Sequence, residues 1–264
     1  MTTDTDPQLE QISADAEAGD ATAQFILGGM YENGDGVAED LTLARHWYEK
    51  AAAQGFADAQ FNLGVMYETG NGVKADYAQA RHWYEKAAAQ QDPAAQFNLG
   101  LLYADGMGVP QDYAQAKIWW EKAAALGDAD AQANLGVMYA EGQGVAQDFV
   151  KAKDWYEKAA AQGDPDAQCI LGDMYADGQG APQDDVIAYK WFSLAGSCGI
   201  GSAGRNGKPY EKSASGRRQE AGRAMETGIT PLTLHHQRDS PSTRKGSPSG
   251  ISANNRSNSF LTTA

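Results

Sequence analysis

Read for its apolar positions, the chain repeats itself. Leucine stands at Leu27, Leu63, Leu99, Leu135 and Leu171, each followed by glycine, so the period is 36 residues without a slip. The same register carries Tyr31, Tyr67, Tyr103, Tyr139 and Tyr175, then Trp47, Trp83, Trp119, Trp155 and Trp191, then Ala51, Ala87, Ala123, Ala159 and Ala195. A fixed period of this length marks a stacked array, in which each unit buries its apolar side on its neighbours. The stretch from Asp58 to Gln90, DAQFNLGVMYETGNGVKADYAQARHWYEKAAAQ, shows one unit clearly. Tyr77, Ala80, Trp83, Tyr84 and Ala87 follow a helical rhythm that predicts a helix from about Tyr77 to Ala89. Upstream, Phe61, Leu63, Val65, Met66 and Tyr67 leave no clean polar face, which predicts a helix covered on two sides.

Between the two helices of each unit lies a Gly-x-Gly loop ending in aspartate, from Gly34, Gly36 and Asp40 to Gly178, Gly180 and Asp184. Such glycines can take the left-handed backbone that closes a helix, and the aspartate can accept from the free amides that open the next. Asp92-Pro93 and Asp164-Pro165 pair an N-cap with a first-turn proline. The glycine after each leucine costs a helix about 1 kcal/mol, so close helix–helix approach is its expected compensation. Arg45 with Glu49, Arg81 with Glu85, Lys117 with Glu121 and Lys153 with Glu157 are expected as exposed pairs worth a few tenths of a kcal/mol each.

In chain order, residues 1–6 are polar and expected to be loose. Pro7–Ala18 predicts a capping helix whose Ser13, Asp15 and Glu17 suit solvent, so residues 1–20 form an N-terminal capping half-repeat. Five units follow over residues 21–199, beginning near Ala21, Ala57, Pro93, Ala129 and Pro165. Gln91 replaces the helix-ending glycine and should strain its turn, Ala181 replaces a valine, and the fifth unit is the weakest copy. Beyond Gly199 the pattern stops. Residues 200–264 are rich in serine, glycine and arginine, and are expected to be disordered apart from a helix near Tyr210–Met225. The abrupt change of register and charge leaves two readings, a functional basic tail or a frameshift that replaced a capping helix.

Three blocks carry a family resemblance: Ala-x-x-x-Leu-Gly-x-x-Tyr, Gly-x-Gly-Val-x-x-Asp and Ala-x-x-Trp-Tyr-x-Lys-Ala-Ala, recurring every 36 residues. The chain resembles the Sel-one-like repeat family, relatives of the tetratricopeptide repeats. That resemblance implies an all-α fold, a right-handed superhelical solenoid of five helix–loop–helix repeats that holds other proteins. A cysteine-rich branch of the family cross-links each second helix to the following first helix. Here the corresponding positions, such as Ala52 and Gln60, lack thiols. The β-lactamase-like or cell-wall hydrolase activity described for that branch is therefore the lesser alternative, together with a secreted effector or surface factor.

Charge divides the chain. Residues 1–199 hold 11 Lys/Arg against 31 Asp/Glu, and residues 200–264 hold 10 against 4, for a net −14. An array this acidic repels nucleic-acid phosphate and anionic lipid, so no nucleic-acid partner is expected. Cys169 and Cys198 stand in no ligand spacing and are expected to be reduced, structural thiols. No segment has the apolar length of a membrane span, and MTTDTDPQLEQ lacks the basic start and apolar run of a secretion signal. The expected address is cytoplasmic, with an exported form if the start codon is misassigned.

Residues repeated in five equivalent places make poor catalysts, because a catalytic centre needs unlike groups converging on one point. His46 and His82 give way to Ile118, Asp154 and Lys190 in later units, which favours surface histidines over a metal site. The glycine loops lack the lysine and serine of a phosphate cradle, and the Trp-Tyr pairs read as inter-helix core. No catalytic, metal or cofactor group is assigned.

By the tetratricopeptide resemblance, the first helices line a concave groove. One stripe of them reads Phe25, Phe61 and Phe97, with Asn62, Asn98 and Asn134, then Val65, Leu101 and Val137. Its margins are acidic, with Asp58, Asp130 and Asp166 at one end and Glu32, Glu68, Asp105, Glu141 and Asp177 at the other. The expectation is a non-catalytic adaptor whose groove has an apolar floor, amides able to bond a peptide backbone, and rims favouring a basic or amphipathic protein or peptide. Some of the phenylalanines can equally pack between units.

Overall fold

A computed structural model describes residues 7–196. The expectations for residues 1–6, for the 200–264 tail and for a helix at Tyr210–Met225 lie outside the described residues. Among those described, the secondary structure is all helical: α1 (Pro7–Ala18), α2 (Ala21–Asn33), α3 (Leu41–Ala53), α4 (Ala57–Thr69), α5 (Tyr77–Ala88), α6 (Pro93–Asp105), α7 (Tyr113–Ala125), α8 (Ala129–Glu141), α9 (Phe149–Ala161), α10 (Pro165–Asp177) and α11 (Asp185–Leu194). Each helix packs on the next in sequence, giving an α-solenoid of five helix pairs behind the α1 cap.

Capping chemistry sets the boundaries. Asp40, Asp76, Asp112, Asp148 and Asp184 each accept two backbone N–H bonds at the start of a second helix, at 2.9–3.1 Å. Asp20, Asp92, Asp128 and Asp164 do the same for first helices with one bond each. Phe56 stands at that position before α4, caps nothing, and packs instead on Phe25 with ring centroids 5.0 Å apart. First helices end on a left-handed glycine such as Gly70, whose N–H returns to the Met66 carbonyl. At the end of α5, Gln91 holds φ +65°, a left-handed backbone on a residue with a Cβ.

The core is a series of joints. Leu63 and Met66 of α4 are buried against Ala44, Tyr48 and Ala51 of α3, with Trp83 of α5 lying over the cluster. Leu99, Leu135 and Leu171 repeat the arrangement, each with the tryptophan of its own second helix, Trp119, Trp155 and Trp191. Leu27 closes on Ala16 of α1 beneath Trp47, which is how the cap covers the first unit. Burying one such leucine contributes roughly 1.5–3 kcal/mol.

The repeated glycine has a specific partner. A Cβ on Gly28 would stand 2.7 Å from the Tyr48 ring, and one on Gly136 would stand 2.6 Å from Tyr156. Gly64, Gly100 and Gly172 face Tyr84, Trp120 and Phe192 in the same way. Each second helix thus lays an aromatic ring across the bare backbone of its first helix.

Two expectations are corrected here. Cys169 is not a reduced thiol: it is buried and disulfide-bonded, while Cys198 lies outside the described residues. The charged pairs form as read, at 2.6–3.4 Å, but their basic members are only part-exposed, down to 15 % at Lys153, because their stems lie along the helix surface.

Candidate protein-binding face

The first helices α2, α4, α6, α8 and α10 form one layer, in which α4 and α6 touch directly. Charge segregates between the layers. These five helices carry nine Asp/Glu and no Lys or Arg, whereas α3, α5, α7, α9 and α11 carry ten Lys/Arg against six Asp/Glu. On the second helices Lys50, Lys86, Lys122 and Lys158 each seat their ammonium 3.5–4.2 Å from a tryptophan ring centre, which holds the positive charge over the ring without cancelling it.

The residues expected to floor a groove occupy a half-buried row. Phe25 lies against Tyr48 as well as Phe56, and Phe61 lies against Tyr84 at 5.8 Å. Phe97 and Leu101 pack on the joint between the third and fourth units, Phe61 and Val65 on the one before it, and Val137 on the one after. These side chains therefore serve inter-unit packing and keep part of their surface outward.

The polar members turn inward. The Tyr48 hydroxyl donates to Glu32 at 2.6 Å, and Tyr84 donates to Glu68 at 2.5 Å. Asn62 and Asn98, from the following units, hydrogen-bond to these same tyrosines. Burial, then the hydrogen bond and charge of the glutamate, hold both phenols well above their ordinary value. Asn134 is buried at 6 % exposure, and at the tyrosine position of the preceding unit Trp120 donates its indole N–H to the Phe97 carbonyl instead. Asp105, Glu141 and Asp177 are exposed at the C-terminal ends of their helices, as are Asp58, Asp130 and Asp166 in the first turns.

Sequence reasoning missed the glutamine ladder. Gln24, Gln60, Gln96, Gln132 and Gln168 are buried, each donating to a carbonyl of the preceding helix at 3.0–3.3 Å, Gln24 to Ala16 of the α1 cap and the others to second helices. Gln54, Gln90 and Gln162 donate in turn to Gln24, Gln60 and Gln132. At the third unit Leu126 takes the place of that donor, and the buried Gln96 Oε1 has no hydrogen-bond partner. The signal was present, since both glutamine columns recur at the period, but a polar column in a helix does not announce burial. His46 and His82 are exposed and lie edge-on to Trp47 and Trp83.

Sel1 repeats match residues 21–56, 57–92, 93–128, 129–164 and 165–200. The chain belongs to the Sel1 repeat family. Among solved structures it is similar to c5321, a protective antigen present in uropathogenic Escherichia coli strains and displaying the same repeat fold. That match has 43% identity, a TM-score of 0.69, and covers 71% of this chain and 40% of c5321. It is also similar to a Sel1 repeat protein from Oxalobacter formigenes, at 37% identity and a TM-score of 0.65 over 78% of this chain and 89% of that one. The chain thus spans about two fifths of c5321. No curated protein matches it. Among the described residues, no helix is long and apolar enough to cross a membrane.

Proposed function

We propose that the Sel1 array is a protein-interaction scaffold without catalysis of its own, and that its first-helix wall binds a basic or amphipathic segment of a partner protein. The general role fits the family. What supports the specific reading is the charge segregation: nine carboxylates and no base on the first helices, beside a row of half-buried Phe25, Phe61, Phe97, Val65 and Leu101. Exposed carboxylates at both ends of these helices act through long-range attraction, which speeds encounter and selects the sign of the partner. Asn62, Asn98, Glu32 and Glu68 contribute by holding the wall's shape, because their polar atoms are bonded to tyrosine. The test is a peptide array on the full chain, followed by anisotropy titrations of its best binders. Preference for Lys/Arg-containing segments, lost in Asp58→Asn with Asp130→Asn and Asp166→Asn, supports the reading. Indifference to peptide charge sinks it.

One observation favours a second address. A disulfide at Cys169 suits an oxidising compartment better than the reducing cytoplasm, which favours an exported scaffold. Alkylation and mass spectrometry of the protein from its native host discriminate: a freely alkylated Cys169 returns the molecule to the cytoplasm.

A further inference from the structure

The acidic wall has a counterpart in the same chain. Residues 205–223, RNGKPYEKSASGRRQEAGR, hold six Lys/Arg and two Asp/Glu, opposite in sign to the first-helix layer. They follow α11, the last helix of the array, after residues 195–204. Ten extended residues reach about 33–36 Å. Packed helix axes are roughly 8–10 Å apart, so this tether is long enough to return from the second-helix layer to the first. Nineteen extended residues reach about 65 Å, enough to run along five neighbouring first helices.

We propose that residues 205–223 occupy the acidic first-helix wall of their own array in the free protein, as an intramolecular competitor that a partner must displace. This rests on the first-helix wall being the binding face. Opposite charge supplies the attraction, and the tether supplies concentration. A short tether gives an effective concentration of about 1 mM, so for an intrinsic dissociation constant of about 100 µM the tail weakens an external basic ligand roughly tenfold. The second-helix layer does not compete for the segment, because it carries more Lys/Arg than Asp/Glu.

The experiment uses two full-length proteins, the natural chain and one carrying Arg205→Gln, Lys208→Gln, Lys212→Gln, Arg217→Gln, Arg218→Gln and Arg223→Gln. The probe is a fluorescein-labelled synthetic peptide of residues 203–225, titrated by anisotropy at low and at high salt. The expected result is binding by both, with the six-fold variant roughly tenfold tighter at low salt and the gap closing at high salt. Carbodiimide coupling of the natural chain, read by mass spectrometry, should join Lys208 or Lys212 to Asp58, Asp130 or Asp166. Equal affinities in the two proteins overturn this proposal and leave the binding face intact. Absence of binding by either overturns the binding face, and this proposal with it. Coupling confined to second-helix carboxylates also overturns it.

Discussion

The Tyr84 hydroxyl donates to the Glu68 carboxylate at 2.5 Å, and Asn98 of the next unit bonds to the same tyrosine. Tyr48 with Glu32 and Asn62 repeats this one unit earlier. These contacts tie the two helices of a unit to each other and to the following unit, and they carry a pH signature. Both phenols ionise above their ordinary value in the fold, first because they are buried. A proton held more tightly by the folded chain gives stability that is complete below about pH 10 and falls above it, as only the unfolded chain releases its protons. Denaturant titrations at neutral and alkaline pH should show this loss, and Tyr48→Phe with Tyr84→Phe should shrink it. Equal alkaline losses in both proteins count against the assignment.

Two glycines in one family of helices should respond oppositely to alanine. Gly136→Ala drives a Cβ into the Tyr156 ring at 2.6 Å, and overpacking of this kind costs about 1–3 kcal/mol. Gly29→Ala meets only the Tyr48 hydroxyl oxygen at 3.6 Å, an ordinary contact, and should stabilise α2 by about 0.5–1 kcal/mol. Thermal melts of the two variants separate the effects by sign.

The turn between α5 and α6 and the third unit behind it hold two local faults, Gln91 at φ +65° and the orphaned Gln96 Oε1. Gln91→Gly removes the left-handed strain, worth about 1 kcal/mol. Leu126→Gln restores the donor that Gln54, Gln90 and Gln162 supply elsewhere, worth about 1 kcal/mol, and removes a side chain that is 45 % exposed. Hydrogen exchange should be fastest at this turn among the inter-unit turns of the natural chain and slow in the double variant. Uniform exchange across the turns contradicts this.

Salt should separate the acidic wall from its apolar floor. Affinity for a Lys/Arg peptide should fall with ionic strength in the natural chain, and less steeply in the variant Asp58→Asn with Asp130→Asn and Asp166→Asn, mainly through the association rate. Stopped-flow titrations at two salt concentrations provide the measurement, and a salt-independent association rate contradicts it.

Much of the fold was legible because its signals are local. An aspartate before a helix, a left-handed glycine behind it and a 36-residue register fixed where helices begin and end, and α5 runs one residue short of the expected Ala89. The strain at Gln91 followed from a missing glycine in the same way. The candidate binding face was less legible. Its row of phenylalanines was visible as a stripe, but that Phe25 spends its ring on Tyr48 and Phe56 depends on how neighbouring hairpins dock. Asn98 and Glu68 read equally well as surface groups, and only the approach of Tyr84 across the helix pair turns them inward.

The sequence by itself determined the period, the helix ends, the array architecture and the segregation of carboxylates onto first helices, since each depends on residues a few positions apart or on strict recurrence. Tertiary structure alone decided that the glycine after leucine receives an aromatic ring, that the glutamine columns form a buried ladder whose rung at Gln96 is missing, and that Cys169 is oxidised. Those depend on distances between helices, which burial and docking angle set and which no spacing along the chain encodes.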